Sequence, residues 1–478
     1  MPFSLTGLCI ALILPWCLGC IWVHCLLRGS RRSNVFVVLG QGYFLGTFVT
    51  TLVIRLWDML GFQLSFWKLA VLLLAVCGCG LLLQRWSRVS ALPHTYAAPT
   101  PRWHLLIGSL LLALIAWRQV TLVQELLLRP LYAWDAWMNW APKAIVWFYH
   151  GSLVEFVNSH NWIWGDPNAY TLGNRQASSY PITVPLIQLW TMLGAGTWDS
   201  SAVFLPWIIS PIALGLGLFG HLRLARVPFL PALTACYLLL SLPYLNVHSV
   251  LAGYADIWLA AAFCMAVCAL YEAQRTRHWG YALLCLLLAW LCADLKNPGV
   301  VLAAIVLLFA IRIWLNLKPA LELLLWVVSA VVVISALIWG FSFDVPYLGH
   351  IAFEHGMIEV GKFGQFEIAY HAVGNAFLET FFVMINWHLL WYLLVPAACF
   401  SFYRWSVLRK PSAEVLPVVA ALAFVFVVFV FSRHYIAALN FVTLNRALLY
   451  PVPALIFCMF LWFQQPDRSV GEYTITFR

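Results

Sequence analysis

Charge is what this sequence has least of. Asp, Glu, Lys and Arg make up 9% of its 478 residues, where soluble domains carry about a quarter, and that scarcity excludes an ordinary soluble fold. Cysteine is missing from every long polar stretch. All 13 cysteines fall in apolar segments, so the loops have no disulfides to form, and Cys17-Leu-Gly-Cys20 and Cys77-Gly-Cys79 read as packing residues rather than metal or redox pairs. No glycine loop cradles phosphates, no Gly-x-Ser-x-Gly elbow is present, and no His-Glu-x-x-His spacing occurs. ATP-driven and serine-hydrolase readings are therefore unsupported. Nor is there a tandem repeat or a low-complexity tract.

What fills the chain is hydrocarbon: 63% of residues are hydrophobic and the mean hydropathy is +0.88. That composition predicts an all-α polytopic membrane protein. Apolar runs long enough to span, about 17 to 25 residues each, begin near Leu5, Val35, Phe66, Leu105, Ala202, Phe229, Tyr254, Tyr281, Val300, Leu321, Thr380, Glu414 and Ala447. About 13 transmembrane helices are expected. The net charge of +9 does not point to nucleic acid, because the basic residues are spread over short loops and form no single patch. They mark topology instead. The run from Leu5 to Leu27 has no basic residue before it and Arg28, Arg31 and Arg32 after it, which places the N-terminus outside. Alternation then puts Arg85 to Arg102, Arg223 to Arg226, Arg404 to Lys410 and the C-terminus on the cytoplasmic side.

Two long segments face outward on this scheme, 129–201 and 342–379, and both are expected to bear short interfacial helices. In the first, Pro142 to Tyr149 and Val184 to Leu193 fit that description. The chain divides into 1–100, three N-terminal helices and a Pro-containing cytoplasmic linker, and 101–478, a transmembrane core with the two external loops. In the fourth span Arg118 and Glu125 lie two turns apart on one face and read as a polar pair closed against other helices.

The chemistry belongs in Leu131-Tyr-Ala-Trp-Asp-Ala-Trp-Met-Asn-Trp-Ala-Pro-Lys-Ala144. Pro130 stops the apolar helix, and Asp135 arrives about one helical turn later, among tryptophans that suit the boundary of hydrocarbon and water. Asp135 is either a helix N-cap or a working carboxylate. Asp256, in Gly253-Tyr-Ala-Asp256, opens the seventh span and would also serve as a helix-start acid. Lys296, in Lys296-Asn-Pro-Gly299, could be a snorkelling amine, and Arg446, in Asn445-Arg446, an ordinary boundary residue. Together they leave something to explain, since carboxylates and cations collect at the outer ends of spans, where ionisable groups are costly. His350, Glu354, His355 and Glu359 read as the solvated faces of a loop and not as a metal site.

The order of these four local patterns resembles the GT-C glycosyltransferases, polytopic enzymes that take sugars from polyprenyl phosphates. It looks most like bacterial relatives of protein O-mannosyltransferases and of the lipid A aminoarabinose transferase. The resemblance covers residues 131 to 453 and departs from the family at two points. Ala177-Ser-Ser-Tyr-Pro181 offers only serines before its Tyr-Pro pair, and Pro298 replaces the acid of the Lys-Asn-Glu-Gly turn. It implies a GT-C-like fold in a bacterial inner membrane, with the active site on the periplasmic side. Asp135 would be the catalytic base. Asp256 would be a second acid that orients the acceptor or helps hold a divalent cation, and Lys143, Lys296 and Arg446 would be donor-phosphate partners. The implied partners are a polyprenyl-phosphate-linked sugar and a lipid, glycan or protein acceptor.

Two other readings stay open: a transporter or flippase of lipid-linked sugars, and an oligosaccharide ligase or polymerase in which Arg433 and His434 matter more than Asp135. The topology is testable by itself. Cysteines introduced at Ser159 and Ser412 should react with an impermeant reagent from opposite sides of the membrane; equal labelling from one side would overturn the scheme.

Overall fold

A computed structural model describes residues 3–30, 33–86, 101–165, 168–174, 177–315, 319–345, 349–354, 356–361, 364–408 and 415–464. The linker at 87–100, the basic pair Arg409–Lys410, His355 and the C-terminal residues after 464 lie outside them.

The chain opens with three apolar helices, α1 (Leu5–Leu26), α2 (Val35–Met59) and α3 (Phe66–Trp86). Ser4 and Asn34 start the first two as N-caps, each side chain accepting from a backbone amide three residues on. That satisfies one of the amides a helix start leaves unpaired. Then come α4 (Arg102–Leu128), α5 (Ala141–His150), α6 (Ser159–Trp164), α7 (Thr183–Ala195), α8 (Pro206–Leu224), α9 (Phe229–Ser241) and α10 (Pro243–Val250). They are followed by α11 (Asp256–Thr276), α12 (Trp279–Leu295), α13 (Asn297–Leu315) and α14 (Pro319–Trp339). After a small sheet the chain ends in α15 (Gly374–Phe382), α16 (Leu390–Leu408), α17 (Leu416–Phe431), α18 (Tyr435–Leu439), α19 (Val442–Leu449) and α20 (Val452–Phe460).

Among the described residues six helical segments are long and apolar enough to cross a membrane, and eight if the bent pairs α9–α10 and α19–α20 each count as one. The bends are 56° and 46°. Prolines explain their sites: Pro243 opens α10 and Pro451 and Pro453 flank the start of α20, and a ring at those positions cannot continue the preceding helix. The run expected from Thr380 is split as well, because α15 stops at Phe382 and α16 starts only at Leu390. His388, with φ +48°, turns the chain between them.

The sequence reading needs three corrections here. The fold is predominantly but not wholly helical: the second long loop carries a four-stranded antiparallel sheet, β1 (Phe341–Val345), β2 (Gly349–Glu354), β3 (Met357–Val360) and β4 (Gly364–Glu367), paired in chain order. Phe341, Phe343 and Val345 alternate with Ser342 and Asp344, the period-two pattern of a strand, and Gly340, Gly349 and Gly356 take the positive φ that its turns need. Second, α7 is enclosed by the rest of the protein and has no broad exposed face. Nearly all its residues are buried, and Trp190 donates to the carbonyl of Ala11 in α1 at 2.8 Å. Third, Glu125 pairs with Arg129, one turn on, at 3.2 Å, while Arg118 is exposed. The helix α5 does form where the first loop was expected to carry one.

Burial grades across the molecule. α11 is its centre, buried from Asp256 to Ala273. On the outside, α3 and α4 present Trp67, Val71, Leu74, Leu106, Leu110 and Trp117 to the surroundings, an apolar girdle that suits hydrocarbon and not water. α1 and α2 touch backbone to backbone through small residues. A Cβ on Gly19 would strike the carbonyl of Gly42, and one on Gly46 the carbonyl of Pro15, the close approach that Gly-x-x-x-Gly spacing permits. Gly46→Leu should therefore force the two helices apart and lower stability by about 1–3 kcal/mol, read as a drop in thermal midpoint in detergent. An unchanged midpoint would refute that contact.

Candidate active site

Asp135 follows a proline-stopped α4 and leads into a wide π-type helical turn at Ala136–Trp140. Such turns widen the backbone ring and recur at functional sites. Its own backbone is helical, φ −62° and ψ −39°, and its carboxylate makes no capping bond, so the N-cap role is not what holds it. The turn is seated by Ala136, which packs on Gly253. A Cβ at Gly253 would lie 2.7 Å from that of Ala136, and its φ of +89° suits glycine alone. One residue on, Tyr254 accepts from the Asp135 amide at 3.3 Å, and the Tyr254 carbonyl accepts from Trp207 at 2.7 Å.

Asp256 begins α11 and is fully buried. Three side chains from two other breaks in the helical framework close on it. Lys296, extended between α12 and α13, donates to Oδ1 at 2.7 Å. Tyr450, at the bend between α19 and α20, donates to the same oxygen at 2.6 Å and accepts from Lys296 at 3.2 Å. Arg446 of α19 donates through Nη2 to Asp256 Oδ2 at 2.8 Å, and through the same nitrogen to Asp135 Oδ2. Its guanidinium also lies over the Tyr254 ring, 4.9 Å from the centroid. Next to it, Asn445 is pinned by Trp387 at 2.8 Å and donates to the Phe441 carbonyl at 2.7 Å.

Four of the five residues singled out from sequence thus meet: Asp135, Asp256, Lys296 and Arg446. Two acids face two cations, so the buried group is neutral as a whole, which is the condition under which charge survives out of water. Lys143 stands apart. It is 1% exposed, and its ammonium donates to the carbonyls of Ser178 and Tyr180 at 3.2 and 3.3 Å, tying α5 to the turn before α7. Burial pushes its amine down to about 8.

Beside the quartet opens a cavity of about 360 Å³. Asp135, Lys296, Arg446 and Tyr450 line it, together with Asn139, Asn174, Tyr180 and Trp140. Phe424, Val425, Val428 and Phe429 of α17 give the lining an apolar wall. His434, also on the lining, is held below its usual pKa by burial and by Arg433. Asp256 does not reach the cavity. The donor set does not fit a divalent cation, since the two carboxylates share a guanidinium, and no three His, Cys, Asp or Glu side chains are grouped as ligands among the described residues. On the sheet, Ser342, His350 and Asp344 form a hydrogen-bonded chain at 3.1 and 3.0 Å, but Asp344 is 86% exposed, which leaves it a solvated strip.

Sequence reasoning missed Tyr450, Asn174 and the α17 wall. Tyr450 lay within the stretch that carries Arg446, and a phenol four residues along a helix from a buried arginine is a usable signal. It also missed Arg55 of α2, whose guanidinium grips Asp294 at 3.2 and 2.6 Å two residues before Lys296. Comparisons with protein-family models, curated proteins and solved structures found no match.

Lys143 supplies a pH test. Between about 8 and the ordinary value of 10.5 the folded chain binds fewer protons at this site than the unfolded one, so stability gains from Lys143 as pH rises through that window. Against Lys143→Met, the wild-type thermal midpoint should climb between pH 8 and 10; parallel profiles would show that the amine is not so perturbed.

Proposed function

We propose that the chain is an inverting glycosyltransferase of GT-C type that moves a sugar from a polyprenyl-phosphate donor to an acceptor hydroxyl at the outer face of a bacterial inner membrane. The thirteen-span topology with 129–201 and 342–379 outside belongs to the same proposal. One observation carries it: an accessible carboxylate, two cations and a cavity lined by both polar and apolar side chains occur together. The motifs that resemble the family supply those residues in the family's order.

In the reaction the acceptor oxygen attacks the anomeric carbon as the bond from that carbon to the phosphate oxygen breaks. The bonding pair leaves with the phosphate, and the acceptor's proton passes to the Asp135 carboxylate. Lys296 and Arg446 are the cations placed to hold the charge that develops on the departing phosphate. The α17 wall offers the prenyl chain an apolar surface, while Asn139, Asn174 and Tyr180 offer hydrogen bonds to a sugar. Asp256, shut away from the cavity, holds Lys296, Tyr450 and Arg446 in place. Lys143, committed to two carbonyls, has no part in phosphate binding here. Because one displacement occurs, the anomeric centre inverts.

A flippase of lipid-linked sugars is the second reading, favoured by the bent pairs α9–α10 and α19–α20, since broken helices around a charged site also build transporters. Chemistry separates the two. Purified protein given a panel of polyprenyl-phosphate sugars should release polyprenyl phosphate only if it is a transferase. Asp135→Asn keeps size and shape but cannot take the proton, and turnover should fall about 10²- to 10⁴-fold at unchanged folding. Lys296→Met should weaken donor binding by about 1.5–3 kcal/mol. A folded Asp135→Asn protein with turnover within about threefold of wild type, well under the loss expected for a general base, would sink the assignment.

A further inference from the structure

Arg446 spends one nitrogen on two acids. Nη2 donates to both Asp135 and Asp256, while Nε is buried with no partner. A guanidinium usually spreads its five donors over separate oxygens, so this is an arginine with unused donor capacity at the edge of a cavity. The two acids it joins are not equivalent. Asp256 also has Lys296 and Tyr450, and is fully buried. Among the described residues Arg446 is the only hydrogen-bond partner of the Asp135 carboxylate, which is 14% exposed and lines the cavity.

We propose that Arg446 holds Asp135 out of action until the donor arrives, and that the donor's phosphate and Asp135 compete for this one guanidinium. The proposal rests on the transferase reading and adds a rule of order to it. With no donor bound, an oxygen of the base is occupied by a cation and is not open to an acceptor's proton. A phosphate ester in the cavity presents several anionic oxygens to Arg446 and Lys296. It draws Arg446 off Asp135 while Asp256 keeps its two remaining partners. One charge-assisted bond is exchanged for another of the same kind, so the exchange is nearly balanced and a modest difference in contacts decides it. Donor binding and release of the base become one event. The acceptor is activated only beside a loaded donor.

Competition has a signature that a plain catalytic role lacks: removing the base should tighten the donor site. The probe is a polyprenyl monophosphate, the expected product, titrated into purified full-length protein in lipid nanodiscs. Asp135→Asn should bind it about tenfold more tightly than wild type, the effect of freeing one charged hydrogen bond. In an Arg446→Gln background the same change should have no effect, because the contested group is gone. Should Asn at this position impair folding, Asp135→Ser makes the same comparison. Equal or weaker binding by Asp135→Asn, with Arg446→Gln weakened, overturns this proposal alone. Tightening that persists without Arg446 also overturns it, since simple removal of a negative charge would then explain the effect. Wild-type affinity in Arg446→Gln overturns the phosphate role of Arg446, and this proposal with it.

Discussion

A fully buried aspartate at the head of the central helix is the constraint around which this end of the molecule is arranged. Asp256 cannot remain charged there without partners, and α11 itself supplies none, being apolar for the turns that follow. Its partners come from elsewhere. Each is delivered by an interruption of the helical framework: Lys296 by the extended residue between α12 and α13, Arg446 and Tyr450 by α19 and its bend into α20. Non-helical backbone at membrane depth is tolerated where it is enclosed by protein or lines a polar cavity. The breaks and the charge cluster are therefore one feature, each making the other affordable.

Within that cluster the two acids differ in exposure. Asp256 has both oxygens occupied and no access to the cavity, so it acts through the groups it holds. Asp135 lies 311 residues before Arg446 in the chain and is joined to it at the cavity wall. Only one of the two can therefore meet a molecule bound in the cavity.

Much of this was legible in the sequence, for a physical reason. In a chain so poor in charge, each Asp, Lys or Arg beside an apolar run stands out, and Asp135, Asp256, Lys296 and Arg446 were all marked by that rarity. Their meeting was not legible, because it depends on which breaks face each other across three helices. Lys143 carried the same signal and went elsewhere: nothing local tells an ammonium that it will be met by the carbonyls of Ser178 and Tyr180. The α17 wall was hidden for the opposite reason, since aromatics are 16% of the chain and another apolar face is no signal, while Tyr450 could be suspected only from its spacing to Arg446. The alternation from Phe341 to Val345 is a strand signal that the reading of 342–379 as an external loop with short helices did not use. The starts of the long helices α1, α2, α3 and α11 lie close to the run starts read from sequence, whereas the breaks at Leu242, at Tyr450 and at His388, with its positive φ, divide runs that were read as continuous.

The clearest failure of local reasoning lies at the N-terminus. A division at residue 100 puts α1 to α3 outside the part of the chain that carries the motifs, yet α2 reaches the site. Arg55 grips Asp294 with two donors, and Thr183 at the start of α7 bonds both members of that pair. Asp294 is the penultimate residue of α12, directly ahead of the break that extends Lys296. The clamp fixes where α12 stops, and the stop fixes where the ammonium points. α2 is in turn locked to α1 through glycines whose carbonyl contacts leave no room for a side chain. A chain of rigid contacts thus runs from Gly19 and Gly46 through Arg55 and Asp294 to Lys296 and Asp256. The first three helices therefore brace the end of α12 that leads into Lys296, beside the support it has from Tyr450 and from the Gly299 amide.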